Sequence, residues 1–84
     1  MMSVESEMQA RLAAAFSPSE LVIENQSHRH AGHAGDDGSG ESHFAVRIRS
    51  AALAPLGRVA RHRAVHQALG DLVGRIHALA IDAG

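Results

Sequence analysis

The spacing of apolar residues divides the chain into predicted regular elements. Apolar side chains recur at helical intervals from Val4 to Phe16, and Ser17-Pro18-Ser19 then ends that helix. The next apolar positions, Leu21 and Ile23, are two residues apart, which is the period of a strand. The pattern therefore predicts a helix from Val4 to Phe16 and a strand from Glu20 to Asn25.

A polar segment and a second strand follow. His28 to Ser42 reads HRHAGHAGDDGSGES, with four Gly and almost no apolar residue, and predicts a loop. Gly residues lose much conformational entropy on ordering, so Ala31 to Gly40 is expected to be among the most mobile parts of the chain. His43 to Arg49 alternates and predicts a strand with one buried face. Its inward residues are Phe44, Val46 and Ile48, and its outward residues are Ala45, Arg47 and Arg49.

The segment from Leu56 to Ile81 predicts a helix followed by a short strand. At ~100° per residue, one helix face collects the apolar side chains, with His62 near its middle and so partly buried. These side chains are Val59, Val65, Leu69, Leu72 and Val73. Gly74 is expected to end the helix, because Gly adopts the left-handed conformation there without a Cβ clash. A strand is predicted from His77 to Ile81, with Leu79 buried.

The order helix, strand, strand, helix, strand predicts a small two-layer α+β domain. Two strands joined by a loop form an antiparallel hairpin, and two joined through a helix run parallel by a right-handed crossover. The expected architecture is a three-stranded mixed sheet with both helices on one face. The 84 residues provide for one small core, so a single domain over residues 1–84 is expected.

This topology brings histidines together at one end of the sheet. The end of the first strand and the starts of the second and third should lie at that end. Five of the seven His in the chain fall there, namely His28, His30, His33, His43 and His77. His43 shares the strand parity of Arg47, so it is expected to face outward.

The amino-acid composition disfavours several classes of function. The chain has no Cys, so by itself it can form neither a disulfide nor a thiolate metal site, and it has no Cys nucleophile. An enzyme is therefore the class that the residues support least. The net charge of −1 gives no long-range attraction for nucleic acid or an anionic membrane. Neither a secretory signal nor a membrane-spanning stretch is visible, and a cytoplasmic location is expected.

Four segments, in order, resemble the BolA family. They are Glu24-Asn25-Gln26-Ser27 followed by His30, Gly40-Glu41-Ser42-His43-Phe44, Arg61-His62-Arg63-Ala64-Val65 and Ile76-His77-Ala78-Leu79. Each segment alone is weak evidence for the family, but four segments in the same order over about Leu12 to Ile81 are a specific match. The resemblance implies an α+β domain like the type II KH domain, which agrees with the predicted element order.

The resemblance also implies a function. Proteins similar to this one bind monothiol glutaredoxins, with glutathione, and share a [2Fe–2S] cluster with them in cluster delivery and iron regulation. By position, the family's ligands on this chain are His30 and His77. Imidazole is a good iron ligand, and a chain without Cys needs a partner that supplies thiolates.

Other roles are open for several of these residues. His28 and His33 are rivals of His30, and His43 is expected to support the site rather than bind metal. Arg61, His62 and Arg63 could contact the partner, glutathione or nucleic acid, although solvated charges are the commoner case on a helix.

Other functions would use other residues. A KH-like nucleic-acid-binding transcriptional regulator is the runner-up, with a footprint of Arg47, Arg49, Arg58, Arg61 and Arg63. The absence of Trp and Tyr for base stacking counts against it. A zinc or nickel site made by the loop histidines alone is the third possibility.

Overall fold

The computed structural model describes residues 3–26 and 43–84. Its elements are α1 (Val4–Phe16), β1 (Glu20–Asn25), β2 (His43–Arg49), α2 (Arg58–Leu69), a 3₁₀ segment (Gly70–Arg75) and β3 (Ala78–Ala83). The predicted order of helices and strands is confirmed. The predicted loop from His28 to Ser42, with its expected mobility, lies outside the described residues.

The three strands form one mixed sheet in the order β1-β2-β3. β1 and β2 are antiparallel, and β2 and β3 are parallel. The α+β fold predicted from the sequence, with helices on one face of a mixed sheet, is confirmed. On the covered face Ile23 lies opposite Val46, and Phe44 lies opposite Leu79, so the inward rows of all three strands are aligned.

Both helices contribute side chains to one core. Its buried members are Val4, Met8, Leu12, Phe44, Val46, Ile48, Leu53, Val65, Leu69 and Leu72. Burial of such a side chain stabilises the fold by about 1.5–3 kcal/mol. Aliphatic side chains and Phe44 fill this core, so close packing of branched residues replaces the aromatic rings of larger domains.

Local chemistry sets the ends of α1. The Ser3 hydroxyl accepts a hydrogen bond from the Ser6 N–H at 3.1 Å, which satisfies one of the free donors of the first turn. At the other end Ser17 adopts φ 44°, and its N–H donates to the Ala13 carbonyl. Pro18 follows and cannot continue a helix. Ser50, 4% exposed, donates to the Phe16 carbonyl at 2.7 Å and so ties this end of α1 to the end of β2.

The second helix ends earlier than predicted. Gly70 has φ 57° and its N–H donates to the His66 carbonyl, so Gly70 rather than Gly74 ends α2. The chain then continues as a 3₁₀ segment. Leu72 is still buried, because this tighter turn carries it back onto the core. The apolar pattern correctly predicted that Leu72 is buried, but Leu72 lies on the 3₁₀ segment rather than on α2.

Exposure differs from prediction at several other positions. Val59 is 65% exposed and His62 is also exposed, because an open cleft lies between the start of α2 and β3. Leu79 is only half-buried, since β3 is an edge strand. Arg47 is exposed as predicted, whereas Arg49 is half-buried against Asp82. No helix in the described ranges is long and apolar enough to cross a membrane.

Candidate metal centre

Two histidines meet at the end of the sheet where β2 and β3 begin. His43 is the first residue of β2, and its neighbour in the parallel register is Ala78, the residue after His77. The two imidazole rings have centroids 5.2 Å apart and planes inclined by 48°. The predicted meeting of these two strand starts is therefore confirmed, and it places two imidazoles side by side.

The end of β1 reaches the same edge. The Gln26 N–H donates to the His43 carbonyl at 2.8 Å, immediately after the last residue of β1. The chain thus leaves the sheet beside His43. His28, His30 and His33 follow within the next seven residues but lie outside the described ranges, so their predicted roles remain predictions.

The two rings differ in exposure. His43 is 6% exposed, whereas His77 is open to solvent. His43 keeps the strand parity of Arg47, as predicted, but unlike Arg47 it is not exposed. Strand parity gives the face of a residue but not whether a neighbour covers it, and here the ring of His77 lies against His43. His77 is therefore accessible to a group that arrives from solvent, whereas His43 is not.

The donor set of this pair suits a soft or borderline metal centre. Neutral imidazole binds iron, zinc, copper and nickel, and each ring offers one nitrogen lone pair. Within residues 3–26 and 43–84, no group of three or more His, Asp or Glu side chains is placed to hold a metal ion. Among the described residues, the pair by itself therefore offers at most two nitrogen ligands.

The three residues Arg61, His62 and Arg63 have different roles. The Arg61 guanidinium donates to the Leu53 carbonyl at 3.0 Å and the Ala54 carbonyl at 2.8 Å, so it holds the connection between β2 and α2. His62 and Arg63 are exposed and line a cleft of about 800 Å³ beside β3. Arg61 also lines this cleft, but its guanidinium is already bound to two carbonyl groups.

A contact far from this edge fixes the end of α2. Arg11 donates to the Leu69 carbonyl and to Asp71 Oδ1, both at 2.7 Å. The hydrogen bond from Arg11 and its positive charge lower the pKa of Asp71 from its ordinary value. Sequence reasoning missed this pair, because residues 60 positions apart give no local signal.

The fold and the paired histidines define a small helix-strand-strand-helix-strand α+β domain with a candidate imidazole centre at one sheet edge. A family model described as BolA-like protein matches residues 12–84. The chain belongs to the BolA-like family.

Individual relatives agree with this assignment. An uncharacterized protein in the cobS 5' region of Sinorhizobium sp. is 47% identical, over 96% of this chain and 89% of its own length. BolA-like protein 1 of Mus musculus is 42% identical over 95% of this chain, which spans 56% of that relative. The DNA-binding transcriptional regulator BolA of Haemophilus influenzae is 36% identical, over 95% of this chain and 75% of its own length.

A solved structure is also similar. BolA1 from Arabidopsis thaliana superposes with a TM-score of 0.86 at 38% identity, covering 99% of this chain and 92% of that one.

Proposed function

We propose that this protein is a non-enzymatic partner of a monothiol glutaredoxin and supplies imidazole ligands to a [2Fe–2S] cluster that the two proteins share. The pair would carry the cluster or report iron status. One observation carries the proposal: the imidazoles of His43 and His77 lie 5.2 Å apart at the sheet edge, with His77 exposed.

The roles of the two described histidines follow from their surroundings. His77 would be a ligand, because its ring is exposed and its backbone leads directly into a paired strand. His43 would hold the His77 ring in place. His30, in the segment between β1 and β2, would be the second ligand. When bound, the cluster contributes one-electron chemistry and a visible absorption.

The partner must provide the thiolates. This chain has no Cys, so a glutaredoxin cysteine and glutathione would complete the coordination. Such thiols stay reduced in the cytoplasm, where we place the pair. Replacing thiolate by imidazole on one iron raises the reduction potential of a cluster. A shared cluster would therefore be easier to reduce than one held by the glutaredoxin alone.

The experiment is a titration of this protein into cluster-loaded glutaredoxin, followed by visible circular dichroism. We expect the cluster spectrum to change and to reach a plateau at a fixed ratio of the two proteins. An unchanged spectrum at excess protein would contradict the proposal.

The second candidate is a nucleic-acid-binding regulator. It is supported by the name of the Haemophilus influenzae relative and by the exposure of Arg58 and Arg63 on α2. Other residues of the proposed footprint are engaged, since Arg61 binds two carbonyls and Arg49 pairs with Asp82 at 2.9 Å. Binding to duplex DNA with a steep salt dependence, without any change in the cluster spectrum, would favour this candidate over the first.

A further inference from the structure

One side of β3 has no strand beside it in the described part of the chain. The Gly84 N–H donates to the Ile48 carbonyl, and the Gly84 carbonyl accepts from the Ser50 N–H, both at 3.0 Å. Backbone groups of a paired strand point alternately to its two sides. Those of Ile81 and Ala83 therefore point away from β2. Within residues 3–26 and 43–84, no other strand pairs along this side.

The cleft of about 800 Å³ lies along this free edge. On the β3 side it is lined by the consecutive residues Ile81, Asp82 and Ala83. Side chains of consecutive strand residues point to opposite faces of a sheet, so these three share a backbone edge rather than a face. The cleft thus opens onto unpaired N–H and C=O groups. Its other wall is the start of α2, with Arg58, Val59, Arg61, His62 and Arg63.

The cleft is positively charged although the chain carries a net charge of −1. Within the described ranges Arg58 and Arg63 are exposed and take part in no ion pair, and the carboxylate of Asp82 is neutralised by Arg49 at 2.9 Å. The first turn of α2 has no acidic residue, and its N-cap Gly57 has no side chain to accept its N–H groups. The helix dipole therefore adds to the positive charge.

We propose that this cleft binds an extended acidic segment of a partner protein, which adds as a strand to the free edge of β3. Its backbone pairs with Ile81 and Ala83, and the alternate side chains that face α2 are carboxylates, which lie against the exposed Arg58 and Arg63. A nucleic acid matches this surface less well, because a phosphate backbone has no N–H to donate to the outward carbonyls of β3. Strand addition of this kind is a recurrent mode of peptide recognition. The surface is separate from the histidine pair and does not depend on cluster binding.

The test uses a capped heptapeptide of alternating Glu and Val added to the ¹⁵N-labelled protein. We expect saturable shifts of the Ile81, Ala83 and Val59 amides, with a Kd below about 1 mM. A peptide of alternating Lys and Val should not bind. Two Glu-Val peptides, N-methylated either at every Glu or at every Val, cover both alternate sets of N–H groups. One of the two should fail, because it cannot donate to the edge of β3.

Protein variants give the second arm. The double variant Arg58→Glu and Arg63→Glu should weaken binding by about tenfold or more, because it reverses the charge of one wall. Arg75→Glu reverses one charge outside the cleft, where Arg75 pairs with Glu7 at 3.1 Å; it is the control for net charge and should bind as the native protein does. Far-ultraviolet circular dichroism checks that each variant is folded.

Several results would overturn the proposal. These are equal binding of the Lys-Val peptide or of both N-methylated peptides, no amide shifts at about 1 mM peptide, and displacement of the peptide by duplex DNA at equal charge concentration. Amide shifts that depend on protein concentration without peptide would show that a second copy of this chain occupies the edge instead.

Discussion

The rings of His43 and His77 lie 5.2 Å apart although 34 positions separate them in the chain. The cause is the crossover: α2 returns the chain to the edge of the sheet where β2 started, so β3 starts beside it. Parallel strands thereby place one buried and one exposed imidazole at one edge. Neither helix contributes a side chain to this ring contact.

Ser50 is predicted to be a stability determinant at the junction of α1 and β2. Its hydroxyl donates to the Phe16 carbonyl at 2.7 Å and accepts from the Ala52 N–H at 3.1 Å, at 4% exposure. Ser50→Ala removes both of these part-buried hydrogen bonds and should lower the free energy of unfolding by about 1–3 kcal/mol. Urea denaturation measures the change. Ser19→Ala is the control, because Ser19 is exposed; an equal loss in both variants would contradict the assignment.

Gly70 is predicted to be the glycine that is required to end α2. Its φ of 57° is a conformation that residues with a Cβ rarely adopt, and an added Cβ would lie 3.3 Å from a nitrogen of Arg11. Gly70→Ala should therefore destabilise the protein by about 1–3 kcal/mol. Gly74→Ala meets nothing within 4 Å and should be neutral or slightly stabilising in thermal denaturation. The opposite ranking of the two variants would restore Gly74 as the helix terminator.

Arg61 is predicted to stabilise the fold rather than to bind a partner. Arg61→Ala removes both hydrogen bonds to the connection between β2 and α2, and we expect a loss of about 1–3 kcal/mol in the free energy of unfolding. Arg63→Ala, exposed on the same helix, should change it by less than about 0.5 kcal/mol. Chemical denaturation of the two variants in parallel distinguishes them, and a larger effect at Arg63 would refute this division of roles.

The pair of Arg11 and Asp71 is predicted to give acid-sensitive stability. Because Arg11 lowers the pKa of Asp71, the contact stabilises the fold fully above the ordinary carboxyl pKa and this contribution is lost as the pH falls through the lowered value. Carboxyl ¹³C titration by NMR measures the shift. Arg11→Met should return the Asp71 pKa toward its ordinary range, and an unchanged titration would show that Arg11 is not the cause.

Much of the fold was predictable from local pattern, and the errors have physical causes. Alternation in β1 and β2 identified the inward-facing residues correctly, because a two-residue period allows only one set of residues to face the core. The end of α2 was missed because Leu72 remains buried on a 3₁₀ turn that a helical wheel cannot distinguish from an α-helix. The exposure of Val59, predicted on the apolar face, and of His62, predicted to be partly buried, was missed. A helical wheel shows which way a residue points, not whether a neighbouring element reaches it.

The candidate site was predictable only in part. Chain direction was sufficient to bring His43 and His77 to one edge, since that follows from connectivity alone. The burial of His43 could not be predicted, because strand parity does not show which neighbours cover a residue. The Arg11–Asp71 contact and the cleft beside β3 depend on helix placement and could be seen only in three dimensions.

If His77 is a ligand of the shared cluster, replacing it should abolish the response of the cluster to this protein. The direct measurement is the visible circular dichroism of cluster-loaded glutaredoxin at about pH 8, where histidine is neutral, with the native protein, His77→Ala and His66→Ala. His66, a histidine of α2 away from the sheet edge, is the control. His30→Ala, in a predicted loop with rival histidines, should weaken or alter the signal without abolishing it. We expect His77→Ala to remove the spectral change and His66→Ala to retain it; a native spectrum with His77→Ala would contradict the assignment of His77 as a ligand.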